Sequence, residues 1–322
     1  MVKSKISIHK SVLLRETIKN LNLKKGDVVI DATLGGGGHS REVLKKIGRE
    51  GLLIVIDLDD QTIKNFTQNI NPEKRFPKIQ RKENIILVND NFVNLKKILD
   101  TLKIKKVNAI LADLGWSLDQ LVGKGLSFQK DEKLNMRLGK NQELSAQEIV
   151  NKYSQESLEK IIKNYGEEKF WKNITKKIIE FRKRKKIETT SELAEIIQKA
   201  VPSKYRYGKI NPATRTFQAL RIEVNKELEN LEKFILQAIY ALKSQGRLAI
   251  ISFHSLEDRI VKNEFRKNAR GSIFTDEITG QKIVKVAPVI KIITKKPIIA
   301  SQKEIHNNPH SRSGKLRICE KL

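Results

Sequence analysis

The sequence predicts an α/β fold in which a parallel sheet is interrupted by an all-helical insertion. Three observations carry this. Between residues 26 and 114, four short apolar runs alternate with helix-like stretches, the pattern of βαβ units. From about Gly123 to Arg215 no run reads as a strand. After Gly246 a buried strand, 247–253 (RLAIISF), restores the alternation.

Taken in order, 27–30 (DVVI) runs into Asp31, and a glycine cluster and helical 40–47 follow. The run 52–56 (LLIVI) ends in Asp57 before helix-like 61–69. Next, 85–88 (IILV) ends at Asn89-Asp90 before helix-like 95–102, and 107–112 (VNAILA) ends at Asp113. Each strand thus ends in a polar or acidic residue at its carboxyl edge, where open α/β sheets bind ligands. In the insertion, Ser145 with Glu148 and Thr189 with Glu192 fit capping boxes. Leu158, Ile161, Ile162 and Tyr165 recur at helical spacing, as do Ile174, Ile178 and Phe181. A stripe of Leu220, Val224, Leu228, Leu231, Ile235, Ala238 and Leu242 predicts one long amphipathic helix. Residues 284–294 and 315–318 read as late strands. The expected domains are a discontinuous core, 1–122 with 216–322, and the helical insertion 123–215.

Composition narrows the classes. At 322 residues with 39% hydrophobic and 31% charged, a buried core is feasible and wholesale disorder is not expected. Lys and Arg number 64 against 37 Asp and Glu, a net charge of +27. Such an excess fits either a polyanionic partner or a Lys-rich surface that is merely solvated. The single cysteine, Cys319, rules out a disulfide framework and a four-Cys zinc site. His306 and His310 sit in a loop-like stretch and no H-E-x-x-H occurs, so no metal is expected. The longest apolar runs are strand-sized, and the amino terminus lacks the apolar region of a signal peptide. A cytoplasmic protein without a membrane partner is expected.

The sharpest local feature is 31–40, DATLGGGGHS, between a strand and a helix. Glycines there allow a tight turn and close approach of a ligand to the backbone. Asp57 lies 22 residues after Gly35, placed for a carboxylate to accept hydrogen bonds from ribose hydroxyls. NAD, FAD and S-adenosylmethionine all suit that arrangement. The acid before the glycines and the absence of G-x-G-x-x-G spacing favour S-adenosylmethionine, whose ammonium an acidic loop accommodates. Leu58 and Phe92 are candidate walls for an adenine. An NAD-linked oxidoreductase is the rival enzyme. A non-catalytic RNA-binding factor is the other rival, against which the intact GGGGH and Asp57 count.

Several motifs are shared with one family: 9–14 (HKSVLL), GGGGHS, Asp113-Leu114-Gly115, Gly166-Glu167-Glu168, 211–221 (NPATRTFQALR) and 252–262 (SFHSLEDRIVK). On these the chain resembles, over nearly its whole length, bacterial 16S ribosomal RNA cytosine-N4 methyltransferases of the MraW/RsmH type. The resemblance implies a Rossmann-like S-adenosylmethionine-dependent core, with N4-methylation of a decoding-centre (P-site) cytosine. The implied partner is 16S rRNA, within the small ribosomal subunit or a late assembly intermediate; the oligomeric state, monomer or homodimer, stays open. Carried over by position, the family's cofactor contacts fall on Gly37, Gly38, His39, Asp57, Phe92, Asp113 and Gln120. Where the family shows DLGVSSPQ this chain has DLGWSLDQ (113–120), and where it shows PLDMRM this chain has KLNMRL (133–138).

Transfer to an exocyclic amine needs no covalent intermediate, only in-line positioning and a proton acceptor. A C5 transfer would need a cysteine thiolate, and Cys319 stands far along the chain from every motif above. Asp113 either accepts the amine proton or contacts only cofactor. His254 either orients substrate and moves a proton or is an ordinary hydrogen-bonded strand-end histidine. Trp116 either receives the flipped base or packs beside the cofactor. Asn135 and Arg137, in the second variant motif, are candidate substrate residues. The basic run 182–186 (RKRKK), with Arg182, Lys183 and Arg184, is either an RNA contact or a solvated helix end. It makes the insertion a candidate RNA-recognition domain.

Overall fold

The computed structural model describes residues 10–68, 79–115, 123–139, 142–208, 210–270, 272–275 and 282–322. The chain divides into two compact units, Met1–Ser117 with Glu229–Leu322, and Leu118–Leu228.

The first unit is built on strands β1 (Val28–Asp31), β2 (Leu52–Asp57), β3 (Ile79–Lys82), β4 (Ile85–Asn89), β5 (Val107–Asp113) and β6 (Leu242–Ser252), which share one sheet. They are followed by β7 (Ser272–Thr275) and β8 (Lys282–Val286), an antiparallel pair of their own. The main sheet is completed by β9 (Ile290–Ile292), β10 (Ile298–Ile299) and β11 (Lys315–Lys321). Its order is β10-β11-β6-β5-β1-β2-β4-β3, with β9 also on β11. Strands β4, β2, β1, β5 and β6 are mutually parallel, and β3 and β11 run antiparallel to their neighbours.

These strands read as continuous apolar runs because both faces are covered. Successive side chains go to opposite faces. Ile30, Ile54, Ile56, Ile86, Val88 and Ile110 enter one core, and Val29, Leu53, Val55, Leu87 and Leu111 enter the other. The helices Gly38–Ile47 and Asp60–Gln68 bury Val43, Ile47, Ile63 and Phe66 in the second core. Leu95–Leu102 and the 227–241 helix bury Leu95, Ile98, Phe234 and Ile235 in the first. The change of face follows from handedness. The chain steps outward from β1 to β2 and β4, then jumps back across β1 to β5, and right-handed crossovers in opposite directions lie on opposite faces. The loops leaving β1 and β5 therefore diverge, opening a crevice at their carboxyl ends.

The second unit is helical. The capping boxes expected at Ser145/Glu148 and Thr189/Glu192 both form, opening helices Ala146–Lys152 and Thr190–Ala200. Helices Gln155–Asn164 and Trp171–Arg182 bury Leu158, Ile161, Ile162, Ile174 and Ile178 in one separate core. Pairing of strand type among its described residues is confined to an isolated bridge between Lys133 and Thr189.

Three expectations are corrected. The single amphipathic helix is two, Ala213–Asn225 and Glu227–Ala241, broken at Lys226 with φ 50°. Leu220 and Val224 pack in the insertion's core while Leu231, Ile235 and Ala238 pack under the sheet, so one apparent stripe serves two cores. The insertion accordingly extends to Leu228 rather than 215. Finally, the run 284–294 is no single strand. It contributes to β8 and β9, parted around Pro288, which has no N–H to donate.

Candidate cofactor and catalytic site

The loop after β1 is shaped by its glycines and pinned by two carboxylates. Gly35 and Gly37 have φ of 48° and 71°, in the left-handed region. A Cβ on Gly37 would fall 2.6 Å from the Phe66 ring, and one on Gly38 would collide with the Ser11 hydroxyl. The Asp57 Oδ2 accepts the Gly35 N–H (3.2 Å) and its Oδ1 the Asp59 N–H (2.8 Å), fixing the carboxylate at the end of β2. Asp31 is fully buried; its Oδ2 accepts the Ser40 hydroxyl (2.6 Å) and its Oδ1 the Thr33 N–H (3.2 Å). Burial pushes the Asp31 carboxyl up to about 7, with the Asp57 charge adding and the Ser40 and Thr33 bonds opposing.

One strand across, Asp113 ends β5. Its N–H donates to Thr33 Oγ1 (2.6 Å), so a hydroxyl from the glycine loop ties the two diverging strand ends together. Its Oδ1 accepts the Gly115 N–H (3.1 Å), and its Oδ2 lies 3.6 Å from His39 Nδ1, on a buried imidazole at the start of the Gly38–Ile47 helix. Burial raises Asp113 to about 7 as well, opposed by the Gly115 amide and reinforced by the charges of Asp31 and Glu257. A carboxyl poised near neutrality is suited to accept or hold a proton. A Cβ on Gly115 would lie 2.7 Å from the Phe253 ring, so any larger residue there must displace that ring.

At the end of β6, His254 is held by Glu257. That buried carboxylate accepts the N–H groups of Phe253 (2.8 Å) and His254 (3.3 Å) at the start of the Ser255–Arg270 helix. Its Oε1 stands 3.1 Å from His254 Nε2.

The sheet order, the glycine loop and the acids at successive strand ends are those of a nucleotide-cofactor methyltransferase core. The model of the MraW methylase family matches residues 6–322. The chain belongs to this family. It is a methyltransferase dependent on S-adenosylmethionine. Among curated relatives it is similar to the ribosomal RNA small subunit methyltransferase H of Clostridium botulinum (strain Kyoto / Type A2), 48% identical over 98% of this chain and 99% of that one. The protein of that name from Clostridioides difficile (strain 630) is 44% identical over the same shares. A solved rRNA methylase from Streptococcus thermophilus is 11% identical, with a TM-score of 0.39 over 95% of this chain and 93% of that one.

The other residues expected to act divide clearly. Gly37, Gly38, His39, Asp57 and Asp113 gather at the carboxyl edge of β1, β2 and β5. Phe92 follows β4, half-buried, its ring edge-on to Phe234 at 5.0 Å. Trp116 and Gln120 lie outside the described residues. Asn135 and Arg137 bind each other (Oδ1 to Nε, 2.7 Å), and Arg137 Nη1 donates to the Gln142 carbonyl (2.8 Å), a local loop network within the insertion. Arg182 already has a structural role: its Nη1 donates to the carbonyls of Val150 (2.9 Å) and Tyr153 (2.8 Å), closing the Ala146–Lys152 helix. Lys183 and Arg184 are exposed. Thr33, Ser40, Phe66 and Glu257 position the site, and sequence reasoning missed them. Thr33 and Ser40 lie within the 31–40 motif and Glu257 within 252–262, though none was singled out there, and Phe66 carried no local signal.

Proposed function

We propose that this methyltransferase modifies N4 of a decoding-centre cytosine in 16S rRNA, in the cytoplasm, with the small ribosomal subunit or a late assembly intermediate as substrate. The observation that carries the reading is the acid-lined glycine loop at the β1–β5 switch point, in a chain whose near relatives are named for small-subunit ribosomal RNA.

The residues present fit the cofactor. Gly35 and Gly37 keep the loop in a left-handed turn, with Gly37 packed against Phe66, and Asp57 at the end of β2 presents a carboxylate oriented by two amides. In this reading Gly37, Gly38 and Asp57 hold S-adenosylmethionine, and Asp31 supplies negative charge beside the loop. When bound, that cofactor supplies an electrophilic methyl group. Asp113, its carboxyl near 7 and oriented by the Gly115 N–H, accepts the amine's hydrogen bond or its proton, with His39 3.6 Å away beside the cofactor. The lone cysteine favours nitrogen over carbon as the acceptor. Cys319 is buried in the sheet and burial pushes its thiol far above the usual range, so it supplies no thiolate for a C5 reaction.

The test is methyl transfer from labelled cofactor to small subunits of a strain lacking the modification, followed by nucleoside mass spectrometry. N4-methylcytidine is expected. C5-methylcytidine, or no transfer to subunits or free 16S rRNA, overturns the reading.

A further inference from the structure

The helical unit carries an aromatic, basic surface that the methyl-transfer site does not use. A cavity of about 270 Å³ is lined by Glu168, Phe170, Val201, Tyr205, Ile210 and Arg215. Its aromatic wall is a pair, Phe170 edge-on to Tyr205 at 4.6 Å and 77°. Beside it the chain leaves apolar groups in water: Tyr205, Ile210 and Tyr207 are 46%, 57% and 91% exposed. Large side chains are rarely left so bare in one short segment without a partner. Lys169 lines the cavity and is exposed. Lys204 and Arg206 are exposed next to Tyr205 in the chain, with the Arg206 Nε donating to the Val201 carbonyl (3.3 Å). Lys163 and Lys172 stand 5.3 and 5.2 Å from the ring centre of Trp171, the neighbour of Phe170.

The floor of the cavity is a built structure. Gly166 has no room for a side chain, since a Cβ there would lie 2.6 Å from the Ile162 carbonyl and 2.8 Å from that of Arg215. Arg215 Nη1 donates to the Glu167 carbonyl (3.0 Å), and the buried Glu168 accepts the Phe170 N–H (2.9 Å). Two shared motifs, GEE (166–168) and NPATRTFQALR (211–221), are thus bound to one another here, remote in sequence from the glycine loop.

We infer that this cavity is a second RNA subsite, which takes one unpaired base against Tyr205 while the flanking lysines and Arg206 hold the adjoining phosphates. The proposal rests on the reading of RNA as substrate. Charge decides the orientation of the ligand. The Glu168 carboxylate inside the cavity repels a phosphate but accepts hydrogen bonds from the amino or imino edge of a base, whereas the rim is cationic. Exposed aromatics set among lysines are the arrangement by which proteins stack single strands with little regard to sequence. The volume suits one base rather than a larger ligand.

The full chain is titrated against a fluorescein-labelled, twelve-nucleotide single-stranded RNA by anisotropy, with methyl transfer to small subunits followed in parallel. Tyr205→Ala is expected to weaken binding on the order of 10-fold, the usual effect of removing a base-stacking aromatic, and Tyr205→Phe to stay near wild type. The salt slope of Tyr205→Ala stays that of wild type, while Lys204→Ala flattens it by about 0.7, the share of one single-strand phosphate. An unchanged melting temperature shows that Tyr205→Ala still folds. Wild-type binding that Tyr205→Ala leaves intact overturns the subsite and leaves the substrate reading standing. Weaker affinity for whole subunits alone, with naked RNA bound as before, overturns it in favour of a protein contact. A wild-type chain that neither binds RNA nor transfers methyl overturns both.

Discussion

At the scale of single residues, the site depends on two carboxyls held near neutrality, Asp31 fully buried and Asp113 nearly so. Asp113 can act through its charge or only through its shape, and Asp113→Asn separates the two. If the carboxylate orients or deprotonates the amine, single-turnover transfer slows by roughly 10²-fold, a usual general-base contribution, while cofactor affinity measured by calorimetry holds. If it only seats the cofactor, affinity falls and the rate at saturation survives. The raised values of Asp31 and Asp113 also set a pH dependence of stability. Both stand at about 7 in the folded chain against an ordinary 3.8. Between those values the folded state keeps protons that the unfolded state has released. Their contribution is therefore most favourable below about pH 4, declines as pH rises, and levels off above about 7, at up to ~1.4 kcal/mol per pH unit for each group. Asp31→Asn removes one such group. Its stability relative to wild type, from urea unfolding, should improve between pH 5 and pH 8; a constant difference would mean that Asp31 is ionised throughout.

At the scale of elements, what the sequence discloses depends on the range of the interaction. The strand ends at Asp31, Asp57 and Asp113, the glycine loop and both capping boxes are matters of neighbouring residues, and each was legible. The break at Lys226 was not, because apolar spacing runs on unaltered through it. What enforces the break is tertiary. Asn225 is buried and its side chain donates to the Met136 carbonyl (2.9 Å) and accepts the Leu138 N–H (3.1 Å), anchoring residues 136–138. Arg221 then reaches over the break to Glu227 in a paired bond, Nε to Oε1 at 2.9 Å and Nη2 to Oε2 at 3.0 Å. The duties of Arg182 and Thr33 were hidden for the same reason, their partners lying 32 and 80 residues away. Lys226, at φ 50°, bears a left-handed backbone that only glycine adopts freely. Lys226→Gly should be neutral or stabilise by up to ~1 kcal/mol, and Lys226→Val should destabilise by more than ~1 kcal/mol. Chemical denaturation in which Val is tolerated better than Gly would contradict a left-handed turn at this position.

At the scale of the whole molecule the dominant fact is a net charge of +27, which the fold itself does not require. Part of the basic complement is structural or already paired. Arg182 closes a helix through two carbonyls, Arg317 binds Asp258 (2.7 Å), Arg247 binds Glu320 (2.9 Å), and Lys185 pairs with Glu192. The arginines among them are committed within the protein, so removing them tests folding first, whereas Lys185 keeps an exposed side chain in a surface ion pair. The exposed remainder of the 182–186 run, Lys183, Arg184 and Lys186, is a different matter. Each phosphate that such a group neutralises releases counterions from the nucleic acid, and affinity then falls linearly on a log–log plot against salt. Replacing Lys183, Arg184 and Lys186 together by Gln should flatten that slope by about 0.7 to 0.9 for every phosphate no longer neutralised, depending on single- or double-stranded RNA. Calorimetric affinity for the cofactor should not change, because the three side chains belong to the helical unit and the glycine loop to the other. Arg182→Gln serves as the contrast, lowering the melting temperature because it leaves the Val150 and Tyr153 carbonyls without their donor, with little change in the slope per folded molecule. A triple variant with the wild-type slope would assign these three residues to the solvated surface and leave the RNA charge to be sought elsewhere, first along the rim at Lys169, Lys204 and Arg206.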